Sequence, residues 1–154
     1  MSAGPLVASG IGILLLVVTA YILVGGTLAT TEVVVEAQSN LAMHQEARMR
    51  TAVEIQNTTI VDNRTLYVEV KNTGSEPIVD IPLIDVYLHI GGAPAYVPYG
   101  TGWSKENITP DDIHPGEFDP GETLNLSVPY EKDADLTWVQ VVTPNGVSCS
   151  AYTR

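Results

Sequence analysis

A single cysteine, Cys149, leaves the 154-residue chain with no intramolecular disulfide, so no cross-linked framework holds the fold together. Basic side chains are scarce: seven Lys plus Arg face eighteen Asp plus Glu, and Arg48, Arg50, Arg64, Lys71, Lys105, Lys132 and Arg154 form no patch. A formal net charge of −11 repels phosphate backbones and excludes nucleic acid as a partner. His44, His89 and His114 lie in unlike contexts, without the spacing of zinc ligands. There is no Gly-x-Ser-x-Gly elbow, phosphate-binding glycine loop or redox cysteine pair, so the chain is read as a non-enzyme without a cofactor. Phe occurs once, whereas Val, Ile, Leu, Tyr and Thr abound, a balance that favours strands.

Charge is also missing from the amino-terminal segment, which carries no charged side chain between Ser2 and Thr31. Residues 6–28 are almost wholly apolar, longer than the about 20 residues a spanning helix needs. A helix buried in so small a protein would keep one polar face, so this run is expected to cross a membrane. The competing reading, a secretory signal cleaved after Ala29, lacks the basic n-region that opens such signals. No basic leader ending in Lys or Arg plus Gly precedes the run, and the segment is expected to stay as an anchor. Orientation is set less by the flanking Glu32 and Glu36 than by four Asn-x-Ser/Thr acceptors, at Asn57, Asn63, Asn107 and Asn125, among seven asparagines. Such acceptors matter only outside the cytoplasm, which favours an exterior carboxyl-terminal domain.

Residues 32–50 contain neither Gly nor Pro and are rich in Glu, Ala, Gln, Leu, Met and Arg, so the helix is expected to continue as a stalk. At 1.5 Å per residue a helix over 5–50 spans about 69 Å, of which about 30 Å lies in hydrocarbon. From Thr51 the period changes to two, with Val53 and Ile55 alternating with Glu54 and Gln56, then Leu66, Val68 and Val70 with Tyr67, Glu69 and Lys71. Asp62-Asn63, Asn72-Thr73-Gly74, Gly91-Gly92 and Pro144-Asn145-Gly146 mark turns. Residues 78–90 read as one long or broken strand interrupted at Pro82, and 93–120 as a long functional or capping loop. About seven short strands predict a mainly β fold, an immunoglobulin-like β-sandwich over 51–154 behind an anchor (1–31) and a stalk (32–50).

Tyr96, Tyr99 and Trp103 cluster in the expected loop. They read either as a cap on one end of the core or as an aromatic docking patch, since Tyr and Trp are enriched at interfaces. On the docking reading, replacing Tyr99 and Trp103 with Ala weakens binding without unfolding the domain. Asp111, Asp112 and Asp119 offer hard oxygen ligands that calcium would use if the backbone folded them inward, although the spacing is not that of an EF-hand. The plainer reading is a solvated acidic loop. With five basic against fifteen acidic residues from Thr51 onward, the sandwich is expected to stay off anionic lipid and to meet protein or glycan.

This order of elements resembles the flagellin-like FlaF/FlaG family of accessory proteins of the archaeal flagellum, the archaellum. The likeness rests on Arg50 with Thr51-Ala52-Val53-Glu54-Ile55, on Leu66, Val68, Val70, Asn72, Thr73 and Gly74, and on Pro120-Gly121-Glu122-Thr123-Leu124. The resemblance implies a stator: a single-pass membrane protein in the archaeal cell envelope whose immunoglobulin-like domain lies between membrane and surface layer. It also implies binding to the surface-layer protein, contacts with other archaellum subunits and self-association as a dimer. The Pro-rich, aromatic 93–120 region departs from the family pattern. The alternatives are an archaellin- or pilin-like filament subunit, a FlaG-like filament-base protein, a lipid- or solute-binding module with a pocket under the aromatic cluster, and an exported hydrolase.

Overall fold

The computed structural model describes residues 3–153, with the side chains of 27–32 outside the description. Leu28, Ala29 and Glu32, invoked above for the end of the apolar run, its cleavage and its flanking charge, are among those side chains outside the described residues. Two compact units divide the chain, Met1–Met43 and His44–Arg154.

Helix α1, Gly4–Arg50, supplies the whole described part of the first unit. Its stretch Gly4–Gly26 is long and apolar enough to cross a membrane, and none of it is buried within the protein. Two hydroxyls inside this stretch are satisfied locally, as hydrocarbon requires: Thr19 Oγ1 donates back to the Leu15 carbonyl at 2.8 Å, and Ser9 Oγ to the Leu6 carbonyl at 2.9 Å.

The second unit is a sandwich of two four-stranded antiparallel sheets. Sheet one has the order β1-β2-β6-β5 and sheet two the order β4-β3-β7-β8. The strands are β1 Val53–Val61, β2 Thr65–Asn72, β3 Asp85–Ile90, β4 Ala93–Val97, β5 Ser104–Thr109, β6 Thr123–Pro129, β7 Leu136–Val142 and β8 Ser148–Tyr152. The period of two does what it predicts. Leu66, Val68, Val70, Leu124, Leu126 and Val128 of sheet one meet Val86, Leu88, Val139 and Val141 of sheet two in the buried core. Each such side chain taken fully from water contributes about 1.5–3 kcal/mol. The mainly β sandwich expected from the sequence is the fold observed.

One expectation is corrected and one is settled between its alternatives. Residues 93–120 are not one loop, because they contain β4 and β5. Pro94 is tolerated because β4 is an edge strand bonded only to β3, so its missing N–H costs no ladder bond on the open side. Of the two readings of residues 78–90 the broken one holds, with the interruption at Pro82: Ile78 makes a lone bridge to Phe118, Pro82 sits in a 3-10 turn over Ile81–Leu83, and β3 begins at Asp85. A proline has no N–H for a ladder but fits the first turn of a short helix.

The three motifs that carried the family resemblance meet in space. Asn72 N–H donates to the Glu122 carbonyl at 3.0 Å, and Gly121 N–H donates to the Asn72 carbonyl at 2.8 Å. The same turn ties down the end of the helix. Ser75 N–H donates to the Arg50 carbonyl at 2.8 Å, while Thr73 and Gly74 N–H donate to the Ala52 carbonyl at 2.9 and 3.0 Å. Gly74 is required by this approach, since a Cβ there would lie 2.5 Å from both Ala52 N and Arg50 O. Arg50 adds ion pairs with Glu46 and Glu76 at 3.5 and 3.8 Å, which are largely exposed and contribute little.

Candidate partner-binding surface

The crossover from β4 to β5 divides the aromatic trio. Trp103 is 1% exposed and belongs to the core, whereas Tyr96 and Tyr99 are 56% and 40% exposed. Tyr99 meets the edge of the Trp103 ring, with centroids 4.8 Å apart and planes at 69°, a favoured edge-to-face geometry. The tight crossover depends on Gly102, where a Cβ would meet Val97 Cγ1 at 2.5 Å. Trp103 and Tyr99 therefore close one end of the sandwich. The joint replacement of Tyr99 and Trp103 cannot be a clean binding test, because it removes a core side chain.

Tyr96 belongs to a larger aromatic array. Strand alternation turns Val86 and Leu88 inward and leaves Tyr87 and His89 on the outer face of sheet two. The register then sets Tyr96 opposite Tyr87, and sets Pro94, His89, Trp138 and Tyr152 in one cross-strand row. Tyr87 and Tyr96 lie 5.4 Å apart, and the His89 and Trp138 rings stack at 5.6 Å with planes 16° apart. Thr137 Oγ1 holds the other side of the imidazole, 2.7 Å from Nδ1. Tyr152 is 80% exposed and, with Trp138, Gln140 and Ser150, lines a groove of about 200 Å³. The Tyr96 hydroxyl has its pKa raised by burial and by its hydrogen bond to Asp85. Sequence reasoning overlooked Tyr87, His89, Trp138 and Tyr152. Alternation alone places Tyr87 and His89 outward, but only the β3–β7–β8 register aligns them with Trp138 and Tyr152.

Asp119 is buried, and its carboxylate accepts from His114 N–H at 3.1 Å and faces His114 Nδ1 at 3.1 and 3.2 Å. Asp111 Oδ1 instead accepts from Gly116 N–H at 2.9 Å, and Asp112 is exposed. Among the described residues, the group able to bring ligand atoms within 4.8 Å of one another is His114, Glu117 and Asp119, without Asp111 or Asp112. The hydrogen bond to Asp119, then its charge, raises the His114 pKa above 6.5. A raised folded-state value means that the pair stabilises fully below pH 6.5 and that this contribution fades as pH rises through the folded pKa. A proton NMR titration is expected to show a His114 midpoint above 6.5 that returns toward 6.5 in Asp119→Asn.

Cys149 is half-buried, and burial pushes its thiol up to about 11, so it is a packing residue rather than a nucleophile. The sequon asparagines Asn57, Asn63 and Asn107 are exposed, and Asn125 is half-buried. All four lie on sheet one or its β1–β2 turn.

No family model matches the chain. An uncharacterized protein of Archaeoglobus fulgidus is 28% identical over 155 residues, covering 98% of this chain and 95% of that protein. Among solved structures, the archaellum periplasmic stator protein FlaG from Sulfolobus acidocaldarius superposes with a TM-score of 0.53 at 22% identity, over 66% of this chain and 98% of that one. Two thirds of this chain thus shares its fold with that protein. A chain of the archaellum periplasmic stator complex of FlaF and FlaG from the same organism matches at TM-score 0.52 and 21% identity, over 65% of this chain and 86% of that one. The archaeal flagellum of Methanospirillum hungatei strain JF1 matches at TM-score 0.58 and 14% identity, over 99% of this chain and 92% of its own. That match takes in the amino-terminal helix as well as the sandwich.

Proposed function

We propose that the chain belongs to the FlaF/FlaG family and is a structural, non-catalytic component of the archaellum. On this reading α1 anchors it in the cell membrane by a single pass, and the sandwich lies outside and grips the surface-layer protein as a stator. The observation that carries the reading is the match of 66% of this chain to 98% of the FlaG stator chain, in a chain whose helix is apolar enough to span a membrane. The physical requirements agree. A stator transmits reaction torque through an anchor and a stiff domain, and here Ser75 N–H donates to the carbonyl of Arg50, the last helical residue, while Thr73 and Gly74 N–H donate to that of Ala52.

A second reading, an archaellin-like filament subunit, is favoured by the coverage of 99% of this chain in the Methanospirillum flagellum match. The two readings separate in a pull-down of the detergent-solubilised full chain against surface-layer protein and against filament subunits of the same cell. Saturable binding to the surface layer supports the stator. Binding to filament subunits alone, or assembly into filaments, supports the subunit.

The contact surface that fits either partner is the outer face of sheet two, where Tyr96, Tyr87, His89, Trp138 and Tyr152 gather. Tyr and Trp anchors at an interface centre typically carry about 2 kcal/mol or more each. Tyr96→Ala and Trp138→Ala are therefore expected to weaken capture of the partner about tenfold or more each while leaving the melting curve nearly in place. Unchanged capture by both variants would move the contact to another face.

A further inference from the structure

Three of the four sequon asparagines fall in one line. Asn57 of β1 is opposite Glu69 of β2, Glu69 is opposite Asn125 of β6, and Asn125 is opposite Asn107 of β5, so a single cross-strand row reads Asn57, Glu69, Asn125, Asn107 across sheet one. Flanking residues Val68, Val70, Leu124 and Leu126 are buried, which turns the row onto the outer face. Asn57 and Asn107 are on the two edge strands and exposed. Asn125 is on an inner strand, with Nδ2 donating to Asn107 Oδ1 at 2.6 Å. An open groove of about 360 Å³, lined by Thr59, Tyr67, Glu69, Glu106, Asn107 and Asn125, runs along the same face. Asn63 lies outside the row, in the β1–β2 turn, bonded to Asp133 at 3.3 Å.

We propose that this row is an N-glycosylation face bearing one glycan on Asn57 and a second on the Asn107/Asn125 pair, which accepts one glycan at a time. Residues directly opposite on antiparallel strands have Cβ atoms about 5 Å apart, and here the two amides touch. A sugar on either nitrogen fills the volume that a sugar on the other needs. The donor is a lipid-phosphate-linked oligosaccharide. The asparagine amide nitrogen forms a bond to the anomeric carbon, the bond from that carbon to the phosphate oxygen breaks, the lipid phosphate leaves with the electron pair, and the amide gives up one proton to the transferase. Sheet one becomes a sugar-covered side, and close protein contacts pass to sheet two.

The inference rests on the exterior placement of the sandwich proposed above, and its test keeps the two apart. The full chain is expressed in an archaeon that N-glycosylates exported proteins and is analysed by glycopeptide mass spectrometry. The expected result is a glycan on Asn57 and on one member of the pair in each molecule. Asn107→Gln and Asn125→Gln should each keep one pair glycan, and the double variant should lose it, with unchanged circular dichroism. Double occupancy of the pair, a bare Asn57, a bare pair, or a pair that goes bare when one asparagine is replaced overturns the proposal. Protease treatment of cells stripped of their surface layer runs alongside. Digestion of a bare sandwich leaves the exterior placement standing, and protection of a bare sandwich overturns the placement as well.

Discussion

Trp103→Ala is expected to destabilise the sandwich by about 3–5 kcal/mol, a fall of roughly 10–20 °C in melting temperature for a domain of this size. Trp103 is the largest of the fully buried side chains and sits where the chain passes from sheet two to sheet one. Its main chain also locks the crossover, with Trp103 N–H donating to the Pro98 carbonyl at 3.0 Å and the Trp103 carbonyl accepting from Gly100 N–H at 2.7 Å. Truncation opens a cavity that a backbone held at both ends cannot collapse to fill. The indole Nε1–H has no hydrogen-bond partner among the described residues, so its contribution is packing rather than polarity. Trp103→Phe, which keeps a ring and removes the unpaired donor, is therefore expected to cost much less, about 1–2 kcal/mol. Thermal unfolding of the solubilised full chain followed by near-ultraviolet circular dichroism checks both variants. A Trp103→Ala chain that melts like the parent would remove Trp103 from the core and return it to the docking patch.

The second large effect is expected at Asn72, whose side chain is fully buried and makes three bonds. Nδ2 donates to the Glu76 carbonyl at 2.9 Å and to the Phe118 carbonyl at 3.0 Å, and Oδ1 accepts from Gly74 N–H at 3.1 Å. Asn72→Ala removes all three bonds; Gly74 N–H keeps its bond to the Ala52 carbonyl and the Phe118 carbonyl still accepts from Ile78 N–H, while the Glu76 carbonyl loses its bond from Nδ2. A lost bond costs about 0.5–1.5 kcal/mol and a buried group left unpaired about 1–3 kcal/mol, so a total of about 2–4 kcal/mol is expected. Asn72→Asp keeps the shape and the bond to Gly74 but sets a carboxylate oxygen against two carbonyl oxygens. It is expected to be at least as harmful near neutral pH and to recover part of the loss in acid, where the protonated carboxyl donates again. Urea unfolding at pH 7 and pH 4 reads both effects. If Asn72→Asp matched the parent at pH 7, the donor role of Nδ2 would be refuted. On the proposed stator reading the consequence reaches function as well as stability, because this turn holds residues 50–52 against the sandwich, and a stator with a loosened turn would transmit less torque.

Much of the architecture was legible in the chain. An uncharged apolar run of spanning length, a Gly- and Pro-free stretch after it, and alternation at period two each follow from a local rule: backbone satisfaction in hydrocarbon, helix propensity and the pleat of a half-buried strand. The turn at Asp62-Asn63 was equally readable, since these residues tolerate the positive φ values of 53° and 48° found there. The edge strands β4 and β5 were not, because Pro94 breaks a strand pattern unless the strand lies at an edge, and edge position is a property of the sheet.

Sequence by itself determined the membrane-length helix, the inward-facing residues, the acidic surface and the lack of a catalytic motif, because each depends on one residue's chemistry or on neighbours within a few positions. Tertiary structure decided which residues share a surface. It took Trp103 into the core while leaving Tyr96 and Tyr99 outside, drew Asn72 to Glu122, brought His114 rather than Asp111 to Asp119, stacked His89 on Trp138, and set Asn57, Asn125 and Asn107 in one row. These pairings follow from strand order and register. A shift of one residue would turn every outward side chain inward, so they are fixed only when both sheets have closed over the common core.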